Sequence, residues 1–129
     1  MAPLVVVVDD DISVRKSLPR LIRSVGLDAG TFASAEEFLD SLRLRKPDCL
    51  ILDVHLPGMS GVELLRHLES HRHNVPVIFI TAHGSDESAR SEAASDLTVA
   101  YLIKPFSGDE LLDAVNAALK WNPDGKANQ

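Results

Sequence analysis

Residues 4–15 read LVVVVDDDISVR. Five apolar residues, Leu4 to Val8, run straight into Asp9, Asp10 and Asp11. A near-continuous, valine-rich run of this length fits a strand buried on both faces, as in a parallel sheet. The acids at its end pose an electrostatic problem. Like charges about 4 Å apart repel by roughly 4 kcal/mol at an effective dielectric near 20. A strand end that gathers carboxylates therefore asks for a cation.

Outward from this stretch, short apolar runs alternate with helical patterns five times. The runs are Leu4–Val8, Asp28–Phe32, Cys49–Leu52, Val75–Ile80 and Val99–Ile103, the second being weak. Between them, Val14, Leu18, Leu21, Ile22 and Val25 fall on one helical face. Ala35, Phe38, Leu39 and Leu42 repeat the pattern, as do Gly61, Leu64, Leu65 and Leu68, and later Leu111, Leu112, Val115 and Leu119. Three helix starts carry the S-x-x-E capping box: Ser34 with Glu37, Ser60 with Glu63, and Ser107 with Glu110. Asp11 reads as an N-cap. Pro19 inside the first helix removes a bond to the Arg15 carbonyl and predicts a kink. The fourth helix, around residues 85–96, offers its core face little beyond Ala89, Ala93 and Leu97. It is expected to be short, shifted or mobile.

Five strand–helix units predict an α/β, doubly wound (βα)5 flavodoxin-like fold with a parallel sheet in the order 2-1-3-4-5. The length, 129 residues, suits one domain over 1–121, and residues 122–129 read as a disordered tail or the start of a linker. No apolar run approaches the ~20 residues of a membrane helix. The apolar N-terminal run lacks a basic flank and does not read as a signal peptide. The single cysteine, Cys49, has apolar neighbours and reads as a buried hydrophobe. A cytoplasmic setting is inferred. A net charge of −6 disfavours nucleic-acid binding by this domain and suits a site that collects a cation.

Ligands of such folds bind outside the carboxyl ends of the strands, at the switch point of the sheet. The residues there are Asp9 and Asp10, Asp53, Thr81, and Lys104 followed by Pro105. Asp9, Asp10 and Asp53 together suit a hard divalent ion, Mg²⁺ or Mn²⁺, which would attract a phosphoryl group. Lys104 adds positive charge on the other side and Thr81 a hydroxyl. Asp53 lies between them, placed to attack phosphorus. Each residue alone has a plainer reading, as a dipole-favoured acid, a strand terminator or a surface lysine. Their joint placement argues for a site. Glu63, His67 and His71 have a zinc-compatible spacing, but they share a polar face with no further ligand evident, and read as a solvated stripe. Trp121 is expected to pack the end of the last helix.

The motifs VVVVDDD, LDVHLPGMSG, PVIFITAHG and YLIKPF resemble the receiver domain of two-component response regulators. FASAEEFL further resembles receivers of nitrogen-fixation-type transcription regulators. The likeness covers about residues 3–120. It implies that Asp53 is the phosphoacceptor. Asp10 would be a direct metal ligand, Asp9 a ligand through water, and His55 a ligand through its backbone carbonyl. Thr81 would follow the phosphoryl group and Lys104 would pair with its oxygens. Tyr101 would be the aromatic whose rotamer tracks Thr81. The Lys104–Pro105 bond would be cis, Pro57 and Gly61 would shape the loop after Asp53, and His55 and His83 would tune the lifetime of the acyl phosphate.

The implied donor is a histidine kinase or a histidine phosphotransferase. A downstream partner would meet the α4–β5–α5 face, and a phosphorylation-dependent dimer is a further expectation. The chain departs from the family pattern at Leu97 and Thr98, where receivers usually carry Gly-Ala. That departure puts the α4–β5–α5 face in question. Two other readings stand beside the switch. A phosphatase of the haloacid dehalogenase class would need D-x-D after the first strand, and Asp53 is instead followed by Val54 and His55. A receiver-like protein-interaction scaffold that is never phosphorylated would not need the acid, threonine and lysine set. The absence of a following effector domain leaves a stand-alone receiver and the front of a longer regulator both open.

Overall fold

A computed structural model describes residues 2–84 and 86–121. The elements run β1 (Leu4–Val8), α1 (Ile12–Ser24), β2 (Asp28–Phe32), α2 (Ala35–Ser41), β3 (Cys49–Asp53), α3 (Gly61–Ser70), β4 (Val77–Thr81), α4 (Glu87–Glu92), β5 (Thr98–Ile103) and α5 (Gly108–Leu119). All strand pairs are parallel and the order is β2-β1-β3-β4-β5, as the alternation predicts. None of the described helices is long and apolar enough to cross a membrane.

The period-2 geometry of a strand splits each central strand between two cores. Val5, Val7, Ile51, Ile78 and Ile80 face α1 and α5, where they meet Leu18, Ile22, Leu111, Val115 and Ala118. Val6, Val8, Leu50, Leu52 and Phe79 face the other way, against Ala35, Phe38, Leu64, Leu65 and Leu68. This is why β1, β3 and β4 look continuously apolar in sequence: both faces are covered. Each fully buried large aliphatic side chain contributes about 1.5–3 kcal/mol. Cys49 is one of these core residues. Burial, with the charge of Asp48, pushes its thiol up to about 12, so it is inert near neutrality.

Element ends show where local signals sufficed. Asp11 caps α1 by accepting from the Ser13 backbone N–H at 2.8 Å. Pro19 lies buried inside α1, and the helix continues to Ser24. Val25 does not join the apolar face. It is the C-cap, 51% exposed, because Gly26 at φ 86 turns the chain away. Complete capping boxes close α3 and α5. At α2 only half of the box forms. Ser34 accepts from the Glu37 N–H, without a return bond from the Glu37 carboxylate. β4 begins at Val77 instead of Val75, since Pro76 has no N–H for the ladder.

The fourth helix is short, six residues, as its sparse apolar face predicts. Ser85, within the expected span, lies outside the described residues, as does the 122–129 segment read as a tail or linker. Polar contacts supplement its few apolar ones. Arg66 of α3 donates to the Glu92 carbonyl and also pairs with Glu69, which accepts from the Ser95 hydroxyl. The Thr98 hydroxyl donates to the Ala93 carbonyl at 2.6 Å. Thr98 thus satisfies one of the carbonyls left open at the end of α4. Trp121 packs against the core cluster on the α3 side, and its indole N–H donates to the Asp96 carbonyl at 3.2 Å. It therefore also ties the end of α5 to the turn before β5.

Candidate functional site

The strand order puts the carboxyl ends of β1, β3, β4 and β5 side by side. Register fixes them further, with Asp53 opposite Ile80 and Thr81 opposite Ile103. Backbone bonds extend the ladder, Val54 N–H to Ile80 and Lys104 N–H to Thr81 at 2.8 Å.

Asp9 is fully buried. One carboxylate oxygen accepts from the Asp11 N–H at 2.8 Å, and the other accepts from Lys104 Nζ at 2.8 Å. Its carbonyl accepts from the Arg15 guanidinium at 2.9 Å, which holds the turn before α1. Asp10, next to it, is exposed. Asp53 is buried at the end of β3; Oδ1 accepts from the His55 N–H at 3.2 Å, and Oδ2 lies 3.9 Å from Lys104 Nζ. Burial pushes the Asp53 carboxyl up to about 7. The charge of Asp9 adds to this, and Lys104 and the His55 N–H oppose it. For Lys104 burial acts to lower the pKa, but the Asp9 hydrogen bond and the charge of Asp53 outweigh it, and the ammonium is held above its usual range.

Asp9, Asp10 and Asp53 each offer an oxygen, and these oxygens lie within 4.8 Å of one another. Two of the acids are buried and the third opens to solvent. That is an oxygen-donor set open to solvent on one side, which fits a hard divalent ion. Burial and the charge of Asp9 push the Asp53 carboxyl up, and a divalent ion would add to the positive charge that opposes this.

Thr81 is fully buried, its hydroxyl oxygen accepting from the His83 N–H at 3.0 Å. The Lys104–Pro105 bond is cis. His55 and His83, both exposed, meet edge to face with centroids 4.6 Å apart, and His55 Nε2 lies 4.0 Å from Asp86 Oδ2. The other Asp86 oxygen caps α4 through the Ala89 N–H. These contacts connect the loop after Asp53 to the start of α4. Tyr101 packs beside Phe79 with the Arg90 guanidinium 5.0 Å from its ring centre. Burial, then Asp86, raises its pKa against the pull of Arg90. Its hydroxyl is buried without a hydrogen-bond partner. Tyr101→Phe is therefore expected to raise stability by about 0.5–1 kcal/mol, measured by urea unfolding. A loss of stability would show that the hydroxyl has a partner in solution.

Gly61 explains itself by contact. A Cβ there would stand 2.3 Å from the Asp53 carbonyl oxygen, so a larger residue would displace the end of β3. Pro57 is exposed in the same loop, followed by Gly58 at φ 74. Sequence reasoning missed Glu36, which reaches from α2 to accept from the Met59 N–H at 3.1 Å and fills the space beside Gly58. It missed Arg15 and Asp86 as well. Charged residues at or beside a helix start carry no local mark of the loop they will hold.

The response regulator receiver domain model matches residues 5–116. Nodulation protein W of Bradyrhizobium diazoefficiens is 48% identical over 115 residues, covering 89% of this chain and 50% of that protein. The chain thus spans about half the length of the curated relatives it matches. Among solved structures, a response regulator receiver protein from Burkholderia phymatum is 48% identical with a TM-score of 0.75, over 91% of this chain and 94% of that one. FixJ-N is 32% identical with a TM-score of 0.78, over 100% and 99%. The chain belongs to the response regulator receiver domain family.

Proposed function

We propose that this domain, over residues 1–121, is a phosphorylation switch in which Asp53 accepts a phosphoryl group from a phosphohistidine of a kinase or a histidine phosphotransferase. One observation carries the reading: Asp53 Oδ2 stands 3.9 Å from the Lys104 ammonium and shares a 4.8 Å cluster with Asp9 and Asp10. In the transfer, an Asp53 oxygen forms the new P–O bond as the P–N bond to imidazole breaks, and the electron pair leaves with the imidazole, which takes up a proton. Mg²⁺, held by Asp9, Asp10, Asp53 and the His55 carbonyl, would offset charge on the phosphoryl oxygens.

The chain's own residues do the rest. Lys104 turns from Asp9 toward the phosphoryl oxygens, Thr81 gives up the His83 N–H to donate to one of them, and Tyr101 follows Thr81. His55 and His83 flank the acyl phosphate and set its lifetime by controlling the approach of water. The bound phosphoryl group then biases the α4–β5–α5 face, where a groove of about 330 Å³ lies between Arg90, Ala93 and Tyr101. A downstream partner, or a second phosphorylated copy, meets that face.

Incubation with Mg²⁺ and acetyl phosphate tests the proposal. The expected result is a mass gain of one phosphoryl group, stable to acid, labile to base and absent in Asp53→Asn. No gain with a competent donor would favour the scaffold reading. Turnover of a generic phosphate monoester would favour a phosphatase.

A further inference from the structure

The histidines of α3 and the turn after it lie at the opposite end of the domain from the acidic crevice, since α3 starts beside Asp53 and runs away from it. His67 and His71 are one helical turn apart, their rings stacked with centroids 4.0 Å apart at 19°. His73 stacks on His71 at 6.3 Å and 11°. Its placement depends on Arg72, which is held at φ 56, a left-handed conformation that costs a residue with a side chain about 1 kcal/mol. That turn brings the His73 N–H to the Leu68 carbonyl at 2.9 Å. His71 Nδ1 lies 2.9 Å from the His67 carbonyl and 3.1 Å from the Ser70 hydroxyl. A carbonyl only accepts, so Nδ1 carries the proton and the Nε2 lone pair is left for a ligand. A backbone carbonyl on the far nitrogen is the usual support of a metal-binding imidazole.

We infer that His67 and His71 chelate a borderline first-row dication such as Zn²⁺, Ni²⁺ or Cu²⁺, the His67 ring turning out of its stack on His71 so that both in-plane lone pairs meet one ion. The i, i+4 spacing places two imidazoles on one face, as in helical zinc sites. The position at the carboxyl end of a ten-residue helix favours a cation through the dipole. Glu63, which shares the spacing in sequence, is not part of the site, because its carboxylate closes the capping box at the other end. Among the described residues only the acidic cluster brings three ligand atoms within 4.8 Å. The histidine site is therefore an open one, two nitrogens with water completing the shell. Imidazole nitrogens select these metals, and the carboxylates of the crevice select Mg²⁺, so the two sites are separately addressable. A bound ion would pin the end of α3 beside the Arg66 and Glu69 contacts that hold α4.

The test is calorimetric titration of the full chain, without a histidine tag and in excess Mg²⁺, with Cu²⁺ or Zn²⁺ alone. Equimolar binding is expected, tighter for Cu²⁺. His67→Gln and His71→Gln should each weaken it at least about tenfold. Asp53→Asn should leave it unchanged, which keeps this site distinct from the phosphoacceptor reading. Nitrogen splitting in the Cu²⁺ electron paramagnetic resonance spectrum should disappear in the double variant. Unchanged Tm of these variants in chelator shows that folding is intact. Absence of binding under Mg²⁺, equal affinity in either histidine variant, or dependence on Asp53 would each overturn the inference.

Discussion

Lys104→Met should lose about 2–4 kcal/mol of stability in a chelating buffer near neutral pH. The physical reason is Asp9. Its carboxylate has no exposure, and its two oxygens are satisfied by one backbone N–H and one ammonium. Removing the ammonium leaves a buried charge with a single donor. Methionine keeps most of the stem's packing, so the loss reports on charge and not on volume. Because the Lys104 pKa is raised in the folded protein, its contribution is fully present below the ordinary lysine range and is lost only as the pH rises through the folded value. The deficit should thus persist up to the lysine range and grow through about pH 7, where Asp53 ionises beside the missing ammonium. Mg²⁺ should restore part of it by placing positive charge beside Asp9 and binding only the folded state. In the phosphorylation assay the same variant should be slower by about 10²–10³-fold, the usual cost of losing one electrostatic group at a charged transition state. Equal stability of Lys104→Met and the wild type in chelator would sink the claim that this ammonium neutralises the crevice.

Asp53→Asn should move stability the other way. The Asp53 carboxyl is pushed up to about 7 in the fold, above its ordinary range, mainly by burial and then by Asp9. A carboxyl raised in this manner favours folding fully below its unfolded value, near 4, and that benefit is lost as pH rises through about 7. Above that, the ionised group opposes folding. The amide carries no charge to desolvate. In chelator at pH about 8, Asp53→Asn should therefore be more stable than the wild type by about 1–2 kcal/mol, after discounting for solvent screening. The gap should narrow toward about pH 5, close only below about pH 4, where the unfolded group is protonated as well, and narrow when Mg²⁺ is added. Urea unfolding at the two pH values, with and without Mg²⁺, measures all three effects. A destabilised Asn variant in chelator at the higher pH would show that Asp53 is not held in the fold at an electrostatic cost.

Much of the fold was legible because its central strands are buried on both faces. Val5 to Val8, Leu50 to Leu52 and Val77 to Ile80 read as strands from their apolar continuity alone, and β1 and β2 match their expected bounds. The acids and the lysine could be placed at one crevice because the flavodoxin-like order expected of a doubly wound sheet puts those strand ends side by side. Less was legible where one residue answers to a distant partner. The second capping residue at α2 is idle while its neighbour Glu36 holds the loop of Gly58 and Met59. Val25 fits the apolar periodicity but sits past the turn made by Gly26. The Glu63, His67 and His71 stripe read as uniform, yet the fold divides it between a capping box at one end and a stack with His73 at the other.

The sequence by itself determined the five strand–helix units, the buried sheet and the gathering of Asp9, Asp10, Asp53, Thr81 and Lys104 at the strand ends. Those follow from periodicity and from the common strand order of doubly wound folds, which are local or general properties of polypeptides. Only the tertiary structure decided how charge is shared within the crevice: Asp9 sealed and paired with Lys104, Asp10 open to water, and Asp53 between them short of positive charge. It also decided that α4 is held to α3 by the polar contacts of Arg66 and Ser95. Such assignments depend on distances of a few ångströms between residues far apart in the chain, and Coulombic and hydrogen-bond energies change steeply over that range.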